Sequence, residues 1–227
     1  MLGIAFAAGL VGYVAVVRPW LGRLTYDRLV TGDGAKGRLS WSASLWLLVG
    51  PCAIAVNATD LGPGQAGFSL GADPAFTVAV AGAMVLVTAA IAVAERLGVR
   101  IPAWAPEAAA PPRTARERRG ALATAVVAGL LEEVIFRGVF VGLFAYGLGL
   151  PLPVAAGLSL AVYVLCQFLR GGKAMLMLTL GGAVLTAAYL LTGSLLLPVV
   201  MHLLLDARAL LAPQARGGQE APAPVRG

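Results

Sequence analysis

Histidine occurs once in the 227 residues, as His202, and cysteine only twice, as Cys52 and Cys166. Two thiols so far apart make no disulfide framework, and C-x-x-C metal spacing is absent. Both cysteines lie in apolar stretches and read as small buried hydrophobes. Charge is scarce as well, at 12% of residues against about 25% in a soluble domain. No internal repeat is visible, which counts against a transporter built from inverted repeats.

What is abundant is apolar. The apolar fraction is 59% and the mean hydropathy +0.85, where a soluble protein has about 45–50% apolar residues. Seven apolar runs can be drawn, over residues 2–17, 39–56, 76–94, 121–146, 151–169, 174–191 and 195–211. Each approaches the ~20 residues that a helix needs to cross a ~30 Å hydrocarbon layer. The pattern predicts an all-α, polytopic integral membrane protein of about seven spans. The first run lacks a basic n-region and a small-x-small cleavage site, so it reads as a span rather than a signal peptide.

The net charge of +6 is explained by topology, and no nucleic-acid partner is expected. Sixteen of the seventeen Lys and Arg fall after runs one, three and five or mark the end of run seven, and the seventeenth is Arg137. The connections over residues 57–75, 147–150 and 192–194 hold none. By the positive-inside rule the N-terminus is outside and the C-terminus cytoplasmic, in a bacterial-type plasma membrane. Four units follow: N-terminal spans over 1–97, a Pro/Arg-rich cytoplasmic linker over 98–120, a helical core over 121–211, and a disordered tail over 212–227. The linker ends in Arg116, Arg118 and Arg119. These read as a topology signal and secondarily as a contact for anionic membrane lipid, at about 1 kcal/mol per basic residue.

Few strongly polar side chains remain inside the runs: Glu132, Glu133 and Arg137 in the fourth, Gln167 in the fifth, His202 and Asp206 in the seventh. A charge near mid-membrane costs roughly 2.5–3.5 kcal/mol on insertion scales, so such residues are functional candidates by default. Glu133 and Arg137 are spaced i,i+4 with the acid N-terminal, which stacks them on one helix face. Glu132 is turned about 100° from Glu133 at 3.6 residues per turn, free to face a cavity while Arg137 holds its neighbour. His202 and Asp206 are also i,i+4, and Pro198 one turn earlier is expected to loosen the backbone. Carboxylates and an imidazole in a dry site are what water activation needs, because a desolvated carboxylate becomes a usable base near neutral pH. A zinc site from Glu132, Glu133, His202 and Asp206 is short of imidazole and thiolate, and no cofactor is expected. Gly138-x-x-x-Gly142 predicts close helix packing.

At these residues the chain resembles the CPBP family, named for CAAX proteases and bacteriocin-processing enzymes and also called Abi. Its members are intramembrane glutamic endopeptidases related to the eukaryotic Ras-converting protease. The family pattern is E-E-x-x-x-R, then F-x-x-x-H, then H-x-x-x-N or H-x-x-x-D. The first motif stands here as Glu132-Glu133-Val-Ile-Phe-Arg137 and the third as His202-Leu-Leu-Leu-Asp206. The second is altered to Tyr163-Val-Leu-Cys-Gln167. The resemblance implies cleavage of a membrane-associated protein or peptide, with Glu132 activating water and His202 and Asp206 holding the oxyanion. Glu133 and Arg137 would support the base, and Gln167 would help hold the water. A glutamine cannot relay a proton near neutral pH. A protease-like protein that binds or regulates a partner without turnover is therefore the alternative, and a proton-coupled transporter stands third. Oligomeric state is not assigned.

Overall fold

A computed structural model of the chain describes residues 34–99, 114–166 and 172–211, with residues 5, 8–14, 16 and 20 of the first run. Gln167, residues 100–113 of the expected linker and the tail from 212 lie outside the described residues. All described secondary structure is helical, without a strand. We number the helices α1 (Gly34–Ala58), α2 (Pro74–Arg96), α3 (Ala115–Glu133), α4 (Leu152–Leu165), α5 (Gly172–Thr192) and α6 (Leu196–Leu211).

The expected runs reappear with shifted ends, and the largest shift is at α3. It begins at Ala115 rather than 121, so the end of the expected 98–120 linker is helix. The cause is Thr114, whose Oγ1 accepts from Glu117 N at 3.1 Å. Thr-x-x-Glu is the spacing of a capping box, and it places Arg116, Arg118 and Arg119 exposed on the first turns. Past Glu133 the chain does not stay α-helical. It winds as π-helix over Val134–Phe140 and again over Leu143–Gly147. Pro198 is a further correction. It sits in the first turn of α6, where its missing N–H has no intrahelical acceptor to lose, so it leaves the backbone around His202 intact.

α3 and its π-helical continuation form the centre, packed on α1, α4 and α6, while α5 lies between α4 and α6. α2 leans on α6 and is apolar outside: Val78, Val85, Leu86, Val87 and Val93 are all exposed. Such a large apolar surface fits lipid, not water. Two described helices are long and apolar enough to cross a membrane, Pro74–Arg96 and Met175–Thr192.

The three connections that lack Lys and Arg gather at one end. Leu195 N donates to Gly67 O at 2.9 Å, and Ser194 Oγ donates to Ser69 O at 2.5 Å. Thr59 Cγ2 lies 3.9 Å from where a Cβ on Gly147 would stand. At the opposite end Arg208 Nη2 meets Glu95 Oε1 at 3.1 Å, tying the last turns of α6 and α2. The 59–73 connection also accounts for the paired glycines. A Cβ on Gly138 would stand 2.9 Å from Ala66 O, and one on Gly142 would stand 2.8 Å from Leu61 Cδ2. The close packing is against this inserted connection rather than against another helix.

Gly71 tests the arrangement. Its φ is +81°, and a Cβ would overlap the Thr192 carbonyl oxygen. Gly71→Ala is expected to destabilise the fold by about 1–3 kcal/mol, read as a lower thermal midpoint in detergent micelles. An unchanged midpoint would remove this contact from the list of what holds the bundle.

Candidate active site

The site is built where α3 gives way to π-helix. Both glutamates are buried at the last α-helical positions, Glu133 fully and Glu132 at 5% exposure. π-Helical turns are costly and recur at functional sites, because they re-aim side chains and leave carbonyls to be satisfied from elsewhere. Here Ser159 Oγ of α4 donates to the Phe136 carbonyl at 2.5 Å. The Phe136 ring meets Phe140 at 5.6 Å and the edge of Tyr163 at 5.1 Å, which fills the space around the turn.

Arg137 is the anchor. Its Nη1 lies 3.0 Å from Glu133 Oε1, and its Nη2 donates to Gly182 O of α5 at 3.1 Å. The guanidinium stands 5.1 Å over the Tyr163 ring, a cation–π contact. The same Gly182 carbonyl accepts from Thr186 Oγ1 at 2.7 Å. Gly182 leaves no room for a side chain: a Cβ would lie 2.8 Å from Leu160 Cδ1 and 3.4 Å from Arg137 Nη2. Desolvating a guanidinium costs several kcal/mol unless it is paired; Glu133 and the Gly182 carbonyl of α5 each take a donor, and Tyr163 of α4 offers its ring face.

Glu133 then reaches across to α6. His202 Nδ1 lies 2.6 Å from Glu133 Oε1, the oxygen that Arg137 also holds. The other oxygen, Oε2, is buried with no hydrogen-bond partner among the described residues. On the far side of the ring, His202 Nε2 is 3.8 Å from Asp206 Oδ2, beyond hydrogen-bond range. Side-chain exposure rises along this line, from 0% at Glu133 to 14% at His202 and 38% at Asp206. Glu132 acts electrostatically on both His202 and Asp206. Gly129 lies against α6, where a Cβ would stand 3.3 Å from Leu203 Cδ2 and in ordinary contact with the His202 ring at 3.6 Å.

The structure thus brings together five of the six residues singled out from sequence, Glu132, Glu133, Arg137, His202 and Asp206; Gln167 lies outside the described residues. Sequence reasoning missed Ser159, Gly182 and Gly129. The Gly181-Gly182 pair inside an apolar helix was the available signal, because small residues there mark close approach. Among the described residues no three His, Cys, Asp or Glu side chains converge to hold a metal ion.

The anchor yields a measurable coupling. Arg137→Met should cost about 3–5 kcal/mol, because it removes the guanidinium that the buried Glu133 carboxylate is paired with. In a Glu133→Gln background the same substitution should cost far less. Equal penalties in the two backgrounds, from unfolding in detergent, would show that the pair does not act as a unit.

Residues 118–208 match the family model described as type II CAAX prenyl endopeptidase Rce1-like. No curated protein and no solved structure matches the chain. The matched segment runs from the first turns of α3 almost to the end of α6. It contains both glutamates, the arginine that anchors one of them, and the histidine and aspartate that face them. The match over residues 118–208, the segment that carries this site, is consistent with the resemblance to CPBP proteases drawn from its motifs.

Proposed function

We propose that the protein is an intramembrane endopeptidase that cleaves a peptide bond in a membrane-associated protein or peptide. The observation that carries this reading is the 2.6 Å contact between Glu133 and His202. It joins the first and third motifs across α3 and α6, inside a segment that matches an endopeptidase family. Glu132, next to that contact, is the carboxylate that activates water. Its oxygen takes a proton from the water as the water oxygen bonds to the scissile carbonyl carbon. His202 and Asp206, on the α6 side, face the oxyanion that develops; Asp206 donates when protonated or through a water. Gln167 helps hold the water. The tetrahedral intermediate then collapses as the C–N bond breaks and the amine nitrogen takes up a proton. No metal enters this scheme.

The placement in the membrane is part of the proposal. Seven spans, with the N-terminus outside and the C-terminus in the cytoplasm of a bacterial-type cell, put the three Lys/Arg-free connections on the outer side. Their gathering at one end of the bundle supports that register. The family description supplies the first probe, a prenylated peptide ending in a CAAX sequence, to be set beside its unprenylated form.

Purified protein in nanodiscs is expected to cleave at least one of these two quenched fluorescent peptides. Glu132→Gln should lower kcat by about 10²–10⁴-fold, the usual worth of a positioned acid–base group. Undiminished cleavage by that variant would remove Glu132 from the mechanism. Chelators should leave the rate unchanged, and reversible loss on chelation would bring back the zinc alternative.

One specific observation favours a second reading, Gln167 at the position where the family pattern has histidine. A protein that keeps the fold and binds a partner without turnover would cleave neither probe, and Gln167→His would not change that. Cleavage that rises in Gln167→His supports the enzyme.

A further inference from the structure

The contact between Glu133 and His202 assigns a proton as well as a position. Glu133 Oε1 lies 3.0 Å from Arg137 Nη1, which can only donate, and 2.6 Å from His202 Nδ1. A carboxylate paired with a guanidinium has no proton to give, so Nδ1 must carry the hydrogen of the short contact. This pins the ring. Nε2 is left as the one ring nitrogen turned away from the buried end, and it is not tied up by Asp206, at 3.8 Å. Exposure rises in that direction, so Nε2 faces the open side of the cluster.

We propose that Glu133 is a positioning residue that holds His202 through Nδ1–H and presents Nε2–H to the leaving amine, making His202 the general acid of the site. The proposal rests on the endopeptidase reading and deepens it. An amide nitrogen leaves only if it is protonated as the C–N bond breaks. Glu133 cannot supply that proton, because it is fully buried and Oε1 already accepts from two donors. Gln167 cannot relay one and the chain has no second histidine, so the donor is His202, Asp206 or the Glu132 that gains a proton in the first step. Of these, only His202 has its ring pinned by a short contact, at 2.6 Å. In the first step water oxygen bonds to the carbonyl carbon and one water proton passes to Glu132, while Nε2–H donates a hydrogen bond to the oxyanion. In the second the C–N bond breaks and the Nε2 proton passes to the amine nitrogen. The proton on Glu132 leaves through water, and Nε2 is reprotonated from water, so the protein ends as it began. Among the described residues the charged groups acting on the ring are Glu132 and Glu133 from α3 and Asp206 from α6 itself, with Arg137 on the same Glu133 oxygen.

The single histidine makes the test direct. Wild-type protein carrying ¹⁵N in the histidine ring gives one pair of ring-nitrogen signals in nanodiscs. Nδ1 is expected to stay protonated across the pH range in which the fold survives, with only Nε2 exchanging its proton. Glu133→Gln is expected to relax this towards the tautomer mixture of free histidine. A wild-type spectrum with the neutral ring protonated at Nε2, or with a free-histidine mixture, overturns the proposal. Because that result is read on unaltered protein, it stands whether or not a variant folds.

Turnover supplies the second arm, with whichever probe peptide the wild type cleaves and its aryl-ester analogue, whose phenolate leaves without a proton. His202→Gln and Glu133→Gln should lose about 10²–10⁴-fold in kcat on the peptide and at least tenfold less on the ester, while Asp206→Asn shows no such split. Equal losses on both substrates, or a split confined to Asp206→Asn, overturn the general-acid role and leave the endopeptidase reading standing. If the wild type cleaves neither probe, that reading fails, and the ring spectrum still decides what Glu133 does.

Discussion

A carboxylate with no exposed surface must be neutralised by its neighbours or not be ionised at all. Glu133 meets that constraint with Arg137 at 3.0 Å and His202 at 2.6 Å, both at Oε1. Taking such charges out of water costs several kcal/mol each, and an ion pair seldom returns more than it costs. The arrangement is therefore hard to account for as a stability device. Its effect is to fix one imidazole against one helix face, in a fold that has only one imidazole to place. Much of the surrounding packing serves the same end. α5 gives up a side chain at Gly182 so that its carbonyl can take the guanidinium, and α4 sends Ser159 to a carbonyl that the π-helical turn would leave without an acceptor's partner.

Most of this was legible where the signal was local. The i,i+4 spacing of Glu133 and Arg137 survives in the structure, because a side chain one turn along still reaches back even as the winding changes. The π-helix itself was not legible. It is accompanied by packing between Phe136, Phe140 and Tyr163 and by the Ser159 hydrogen bond, none of which leaves a periodic mark in the sequence. The start of α3 was legible and was passed over. Thr114 caps the helix by accepting from Glu117 N, at the spacing of a capping box, and this overrides the polar look of the turn after it. Gly138 and Gly142 announced close approach but not to what, since small residues specify a distance and leave the neighbour open. Their neighbour proved to be a non-helical connection. The meeting of Glu133 with His202, 69 residues on, could be inferred only by family resemblance, because no local rule pairs residues so far apart.

The contact at Oε1 also depends on regions far from it. His202 reaches Glu133 only if α6 stands at one height and one rotation against α3, and sliding α6 by one residue would shift the ring by about 1.5 Å and turn it by about 100°. Both ends of α6 are held against such a slip. Before its first turn, Leu195 N and Ser194 Oγ are bonded to Gly67 O and Ser69 O of the 59–73 connection, and Ser194 Oγ also accepts from Leu196 N. At its last turns Arg208 is tied to Glu95. In between, Gly129 faces α6, where a Cβ would stand 3.3 Å from Leu203 Cδ2. α2 contributes nothing to the polar cluster, yet it carries the partner of one of these ties and extends from the connection that makes the others. A peripheral helix whose outer face is apolar thus helps set the distance between a carboxylate and an imidazole on two other helices.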